Sequence, residues 1–407
     1  MYLTGLMHRD ALFELTLRWL NDDLHEDDGR IITEIFLYES AVSASVVLGL
    51  MLRFYQRFYG VGLSVERVQH KNVLRDRLIQ CNPYPTPRTE ELARDYLANP
   101  EFFFPRLPVD AVLLFAPGQR LVSISRIKRM ARVAEKAAFR MADALAGKIR
   151  AEAEQIATSR AAQLGLPLAA MISSEPQMKD DFVAAELAVA NHFKRHAIDL
   201  DRQALAINDI IGFKIIGDEE ELSRAQTLLM QEPGVTLVEA QRHQGHYNAV
   251  NLQVDIELPP VGQLVDELRD LDWSIAAQRG LDPAEARLRF PAWVEQGARS
   301  IRTEVILTTY PELLESELGR SLHELRILTL RERQVYSGPI AENARYLIEY
   351  LLTVAYAPTL SVPELPIKMW GRYLPETVSG AMRSLFGIDS TSILLRTFSG
   401  APGFHHP

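Results

Sequence analysis

Apolar residues recur at helical spacing near the start of the chain, through Leu12, Phe13, Leu15, Leu17 and Leu20, and again from Ile31 to Phe58. A helix with that period buries one face, so residues 1 to about 80 read as helical. Three prolines in alternation, in Asn82-Pro83-Tyr84-Pro85-Thr86-Pro87, deny helix and favour an extended connection. A short helix (Thr89 to Ala98) and a proline-punctuated run (Pro100 to Pro108) come next, then strand-like segments at Ala111 to Phe115 and Arg120 to Ser125. From Ile127 to about Gln163 the chain is rich in Ala, Arg, Lys and Glu, residues with strong helical preference, until Gly165 and Pro167 end the run. A second helical pattern spans Lys179 to about His196.

The texture then alternates. Ala206 to Ile216, Val235 to Gln241, Ala249 to Glu257 and Thr303 to Thr308 read as strands, with Glu219 to Gln231, Leu264 to Leu271 and Pro283 to Phe290 as helices. Such alternation predicts an α+β fold: a mixed β-sheet of about five strands flanked by helices. Helix returns after Pro311, at Glu312 to Glu324, Ala341 to Ala355 and Glu376 to Phe386, and Ser399 to Pro407 reads as a loose tail. The division is a helical region at 1–105, a sheet-bearing domain at 106–330 with a helical insertion at about 137–200, and a helical region with its tail at 331–407.

Composition narrows the options. The 407 residues carry a formal net charge of -9, which argues against general nucleic-acid coating, since that needs a basic surface. Cys81 is the single cysteine, so neither a disulfide framework nor a cysteine-based metal site is available. The stretch from Met1 to Leu20 lacks a signal-peptide pattern, with Arg9, Asp10, Glu14 and Arg18 at helical intervals. The most apolar run, Ser40 to Leu52, is too short to cross a bilayer and is flanked by Glu34, Glu39 and Arg53, so a buried core helix is expected, with no membrane and a cytoplasmic location.

Chemistry concentrates in four blocks. Asp209 opens the apolar run Ile210-Ile211-Gly212-Phe213-Lys214-Ile215-Ile216, and a carboxylate at the mouth of a buried strand suits a hard divalent cation. Upstream, a strand delivers Arg126 and Lys128 at its end, and the helix after it turns Arg132 and Lys136 onto one face. Arginine offers phosphate a planar fork and lysine a mobile point charge, although a solvated helix face would look the same. Downstream stand Tyr247 and the strand-borne Glu304. Asp209 also suits a cap, Glu304 a strand-edge charge, and Tyr247 a cross-strand contact. His243 and His246 lack a third partner for a zinc site, and no nucleophile elbow, phosphate loop or dinucleotide fingerprint is present.

Taken in order, Arg126-x-Lys128 with Lys136, Asp209-Ile-Ile-Gly-Phe-Lys214, Gly245-His246-Tyr247-Asn248-Ala249-Val250-Asn251 and Glu304-Val-Ile-Leu-Thr308-Thr309 resemble the synthetase domain of the RelA/SpoT family over about residues 111–325. The resemblance implies a nucleotidyltransferase-like fold. It implies transfer of pyrophosphate from ATP to the ribose 3′ hydroxyl of a guanosine nucleotide, with Mg²⁺, in the guanosine tetraphosphate metabolism of the stringent response. In it, Asp209 and Glu304 hold the metal, and Arg126, Lys128 and Lys136 meet the ATP phosphates, with Arg132 of the same basic cluster beside them at the substrate. Tyr247 stacks on the acceptor base, with His246, Asn251 and Lys214 also at the substrates. Departures are clear: Lys214 stands for Arg, Ile306 and Thr308 replace Gln and Arg, and Asn251 replaces His. They leave a second reading, a catalytically silent nucleotide-binding module that works through its helical ends on a protein partner or a second copy.

Overall fold

The computed structural model describes residues 1–60, 62–83, 85–245, 248–319, 322–332 and 336–388. Strand β1 (Tyr2–Leu3) precedes helices α1 (Arg9–Leu20) and α2 (Asp28–Tyr59), and β2 (Ser64–His70) leads into α3 (Lys71–Gln80) and α4 (Pro87–Ala98). Hairpin strands β3 (Pro108–Ala116) and β4 (Arg120–Ile127) are followed by the long helices α5 (Met130–Gln163) and α6 (Glu175–Lys194). Then come β5 (Ala206–Ile207), β6 (Ile211–Ile216), α7 (Glu219–Met230), β7 (Val235–His243) and β8 (Ala249–Glu257). Helices α8 (Val261–Glu267), α9 (Ser274–Ala277) and α10 (Pro283–Gln296) lead to β9 (Ser300–Thr308). The last elements are α11 (Tyr310–Leu318), α12 (His323–Glu332), α13 (Pro339–Val354) and α14 (Pro375–Ser384).

Among the described residues, seven strands form one mixed sheet in the order β2-β3-β4-β6-β9-β8-β7, with β6 and β9 parallel at its centre and every other pair antiparallel. The mixed α+β architecture is the expected one, but the sheet has seven strands rather than about five. The strand of this sheet not read from the sequence is β2, within the stretch read as helical; apart from Val65 its outward residues are polar or charged, as an edge strand tolerates, and its single buried position, Val68, gives too little periodicity to detect. The stretch Ala206 to Ile216 is not one strand either. Its first two residues pair with β1 in a separate two-stranded sheet, and Asn208, Asp209 and Ile210 bridge to β6.

Three apolar clusters hold these layers. On one face of the sheet, Phe213, Ile215, Val305, Leu252 and Val254 pack against α2, α7, α8 and α10. Toward the β2 edge of the other face, Ile124 and Leu113 pack against Leu74, Leu92, Tyr310 and Leu314 of α3, α4 and α11. The third cluster is a helical bundle, in which Ala137, Met141 and Leu145 of α5 meet Val189 of α6, Leu347 and Leu351 of α13 and Trp19 of α1. The helical ends and the insertion thus form a core of their own. The first insertion helix, read from the helical preference of its residues, forms as α5, and its buried small apolar residues recur every three or four positions.

Two further readings change. The proline run at residues 83–87 does not wholly forbid helix: Thr86 caps α4 by accepting a hydrogen bond from the Thr89 amide, and Pro87 occupies the first turn, where its missing N–H costs nothing. The Glu312 to Glu324 helix breaks after Leu318, with Gly319 as the cap residue of α11, and α12 starts at His323. The apolar run Ser40 to Leu52 proves to be the middle of a 32-residue helix, α2, which by length and composition alone could cross a membrane. Within the fold, 61% of its most apolar stretch is buried. Of its interrupting carboxylates, Glu34 pairs with Arg30 and Arg289, and Glu39 accepts a hydrogen bond from the His8 amide at 2.8 Å through one oxygen, while its buried Oε2 has no hydrogen-bond partner among the described residues. Gly60, in the left-handed region at φ 66°, ends the helix.

Packing of α2 on the sheet makes a directional prediction. Leu50 is fully buried there, while Leu52, two positions on, is 37% exposed. Leu50→Ala should lower unfolding free energy in urea by about 2–5 kcal/mol, with Leu52→Ala within about 1 kcal/mol of the parent. Equal effects would mean that this helix does not present that face to the sheet.

Candidate functional site

The register across the sheet sets the site. Arg126 on β4 lies opposite Gly212 on β6, Gly212 beside Glu304 on β9, Glu304 opposite Gln253 on β8, and Gln253 opposite Glu239 on β7. The next row runs Ile124, Lys214, Ile306, Asn251 and Gln241. Alternation places both rows on the face opposite the α2 packing, because the residues between them (Phe213, Val305, Leu252) fill that core. Gly212 is needed in the first row: a Cβ there would lie 2.5 Å from the Glu304 carbonyl oxygen.

A cavity of about 280 Å³ opens over these rows, lined among others by Arg126, Lys128, Arg132, Lys136, Asp209, Lys214, Asn251 and Glu304. Eight of the ten residues singled out from the sequence therefore converge. The other two, His246 and Tyr247, lie outside the described residues. The β5–β6 break positions Asp209: the Lys128 amide donates to the Ile210 carbonyl at 2.7 Å, and Asn208 receives the Thr4 hydroxyl at 2.8 Å. Lys128 extends just beyond β4 rather than from its end, and donates to the Asp209 carbonyl at 2.6 Å while meeting its carboxylate at 2.8 Å. Lys136, from the second turn of α5, contacts the same carboxylate oxygen. Burial would push the Asp209 carboxyl up, but Lys128 and Lys136 outweigh it and hold it down at about 2.

Glu304 behaves in the opposite way. Burial, reinforced by the Asp209 charge, lifts its carboxyl above the usual range against Lys128, and Asn251 donates an amide hydrogen bond to it at 3.1 Å. The two carboxylates thus hold their protons with different strength in one cavity. Burial above all lowers Lys214, to about 8, with Arg126 and Lys71 adding to it and Glu317 opposing.

A second set of charges closes the cavity and was not anticipated. Glu317 of α11 is buried, pairs with Arg126 at 2.8 Å and Lys71 at 2.8 Å, and is held well below the usual carboxylate range by Arg126, Lys71 and Lys214 despite burial. Glu324 of α12 meets Lys71 at 3.1 Å and Arg75 at 3.0 Å. One signal was available for Glu317: it interrupts the apolar stripe of Leu313, Leu314 and Leu318 on its helix, where a carboxylate needs a buried partner. Lys71 and Arg75 gave none, since α3 shows no clear apolar face.

Among the described residues, no three His, Cys, Asp or Glu side chains gather closely enough to cage an ion. Asp209 and Glu304 are nevertheless two oxygen donors in one cavity, and Mg²⁺ is commonly held by one or two carboxylates together with water and substrate phosphates. The donor set therefore fits an ion that arrives with a phosphate ligand better than a permanently caged one.

No family model matches the chain, and no curated protein matches it. A solved structure to which it is similar is the small alarmone synthetase 1 from Bacillus subtilis, at 16% identity and a TM-score of 0.20, covering 42% of this chain and 69% of that one. At that score the likeness carries no argument, and the site rests on its own geometry.

Proposed function

We propose that the cavity binds the polyphosphate of a nucleoside triphosphate and transfers pyrophosphate from it to a nucleotide hydroxyl, the 3′ hydroxyl of a guanosine nucleotide being the acceptor that the sequence resemblance implies. The observation that carries this reading is the convergence of Arg126, Lys128, Lys136 and Lys214 with the carboxylates Asp209 and Glu304 in one cavity. Phosphoryl transfer asks a protein mainly for positioning and for neutralisation of charge. Phosphate oxygens would take over Lys128 and Lys136 from Asp209, and so free its carboxylate. Mg²⁺ held by Asp209 and Glu304 would supply charge neutralisation on the phosphates.

In the transfer, the acceptor oxygen bonds to the β-phosphorus, the bond from that phosphorus to the α–β bridging oxygen breaks, and the nucleoside monophosphate leaves. The hydroxyl proton passes to water, because both carboxylates are taken up with the metal in this reading. Labelled ATP, Mg²⁺ and a panel of GTP, GDP, ATP and tRNA should yield a labelled product with a guanosine nucleotide. No product in any tube would rule out turnover. Asp209→Asn should lower the rate at least about a hundredfold with the fold intact by circular dichroism.

One observation favours the second reading, a nucleotide-binding module without turnover. The cations already have carboxylate partners: Arg126 pairs with Glu317, and Lys128 and Lys136 with Asp209. Binding without product in calorimetry would select it, and no binding at millimolar nucleotide with Mg²⁺ would remove both.

Burial lowers Lys136 as well as Lys214, and a substitution at Lys214 isolates its share of the pH dependence. Its folded value lies near 8, below the ordinary 10.5, so its charge is present below about pH 8 and lost above it. Affinity for inorganic tripolyphosphate should therefore fall as pH rises through about 8. Lys214→Arg, which stays charged, should flatten that limb. An unchanged limb in the variant would show that Lys214 does not face the phosphates.

A further inference from the structure

A second cavity of about 950 Å³ adjoins the first, and Arg132, Lys136 and Asp209 line both. The smaller one, at about 280 Å³, falls just below the roughly 300–1,000 Å³ typical of small-ligand pockets, so a whole nucleotide there must extend beyond it. The two differ sharply in charge. Eight cationic side chains and four carboxylates line the smaller cavity, whereas four cationic side chains and six carboxylates line the larger one. Phosphate is accordingly drawn to the first and disfavoured in the second.

The same polarity is written into the sheet. From β4 to β7 the first row passes from Arg126 through Glu304 to Gln253 and Glu239, and the larger cavity lies over its far end. Hydrogen-bond acceptors dominate that end. The Glu239 carboxylate accepts from the Gln241 amide at 2.6 Å, and the buried Gln253 Oε1 has no hydrogen-bond partner among the described residues. Phe139, half-buried on α5, contributes a flat apolar wall beside Ala138 and Ile207. Helix α13, from the C-terminal region, closes the opposite side with Glu342, Arg345 and Glu349, in which Arg345 is neutralised by both glutamates at 2.8 and 3.4 Å.

We propose that the larger cavity holds the nucleoside of the triphosphate whose phosphates occupy the smaller one, with its base stacked on Phe139 and an exocyclic amino group donated to the Gln253 and Glu239 oxygens. This rests on the phosphate reading of the first cavity. Stacking suits any base, whereas the acceptor wall selects bases that carry an exocyclic amino group at the position reached by Gln253 and Glu239. It makes α13 part of the specificity site.

Calorimetry on the full chain with Mg²⁺ and three probes, inorganic tripolyphosphate, ATP and ITP, tests it. ATP should bind at least tenfold more tightly than tripolyphosphate, and ITP, which carries a carbonyl in place of the amino group, should lose most of that gain. Phe139→Ala and Gln253→Ala should each bring ATP down toward tripolyphosphate while leaving tripolyphosphate itself unchanged, which also reports an intact fold and first cavity. Equal affinities for ATP and tripolyphosphate, equal affinities for ATP and ITP, or variants that bind ATP like the parent would overturn the proposal. Failure of tripolyphosphate to bind would instead defeat the phosphate reading beneath it.

Discussion

Charge on the inner face of the sheet has to be matched by charge brought from elsewhere, and that constraint joins the parts of this molecule. Breaking a buried pair by removing one partner costs about 3–5 kcal/mol, so buried charges occur in groups or not at all. Asp209 has Lys128 and Lys136; Glu317 has Arg126 and Lys71; Glu324 has Lys71 and Arg75. The partners come from β4, α3, α5, α11 and α12. Compensation therefore ties the N-terminal helices and the helix after the last strand to the central strands, in addition to apolar packing.

The same pairs define what a ligand must do. On the proposed reading, a phosphate entering the smaller cavity would replace a carboxylate as partner to a lysine rather than meet a bare cation, and that exchange would leave Asp209 and Glu304 available to a metal ion. Their protonation strengths already differ: lysines keep Asp209 ionised, whereas burial keeps Glu304 closer to accepting a proton. The parallel contact between β6 and β9 makes their closeness possible, because Gly212 lets the strands meet where a larger residue would collide with the Glu304 backbone.

Much of the arrangement was legible in the chain. The order of Arg126, Lys128, Lys136, Asp209 and Glu304 pointed to one site, and all of them line one cavity. Strands with clear alternation, such as Ala249 to Glu257, were readable to their ends, since one face is packed and the other is polar. Edge strand β2 was not, because most of its side chains face solvent and nothing imposes a period on them. The split within Ala206 to Ile216 was equally hidden. Both halves are apolar, and only their pairing with different strands separates them.

Local periodicity and residue type settled most helices, the central strands and where the cationic and acidic groups stand along them, because those depend on neighbours a few positions away. Register and long-range pairing settled everything that depends on distance: which carboxylate neutralises which cation, that Gln253 and Glu239 continue the row begun by Arg126, and that α13 walls a cavity built mostly by residues 131–253. No short window of residues holds that information. It arises when strands distant in the chain come to lie side by side with their side chains on one face.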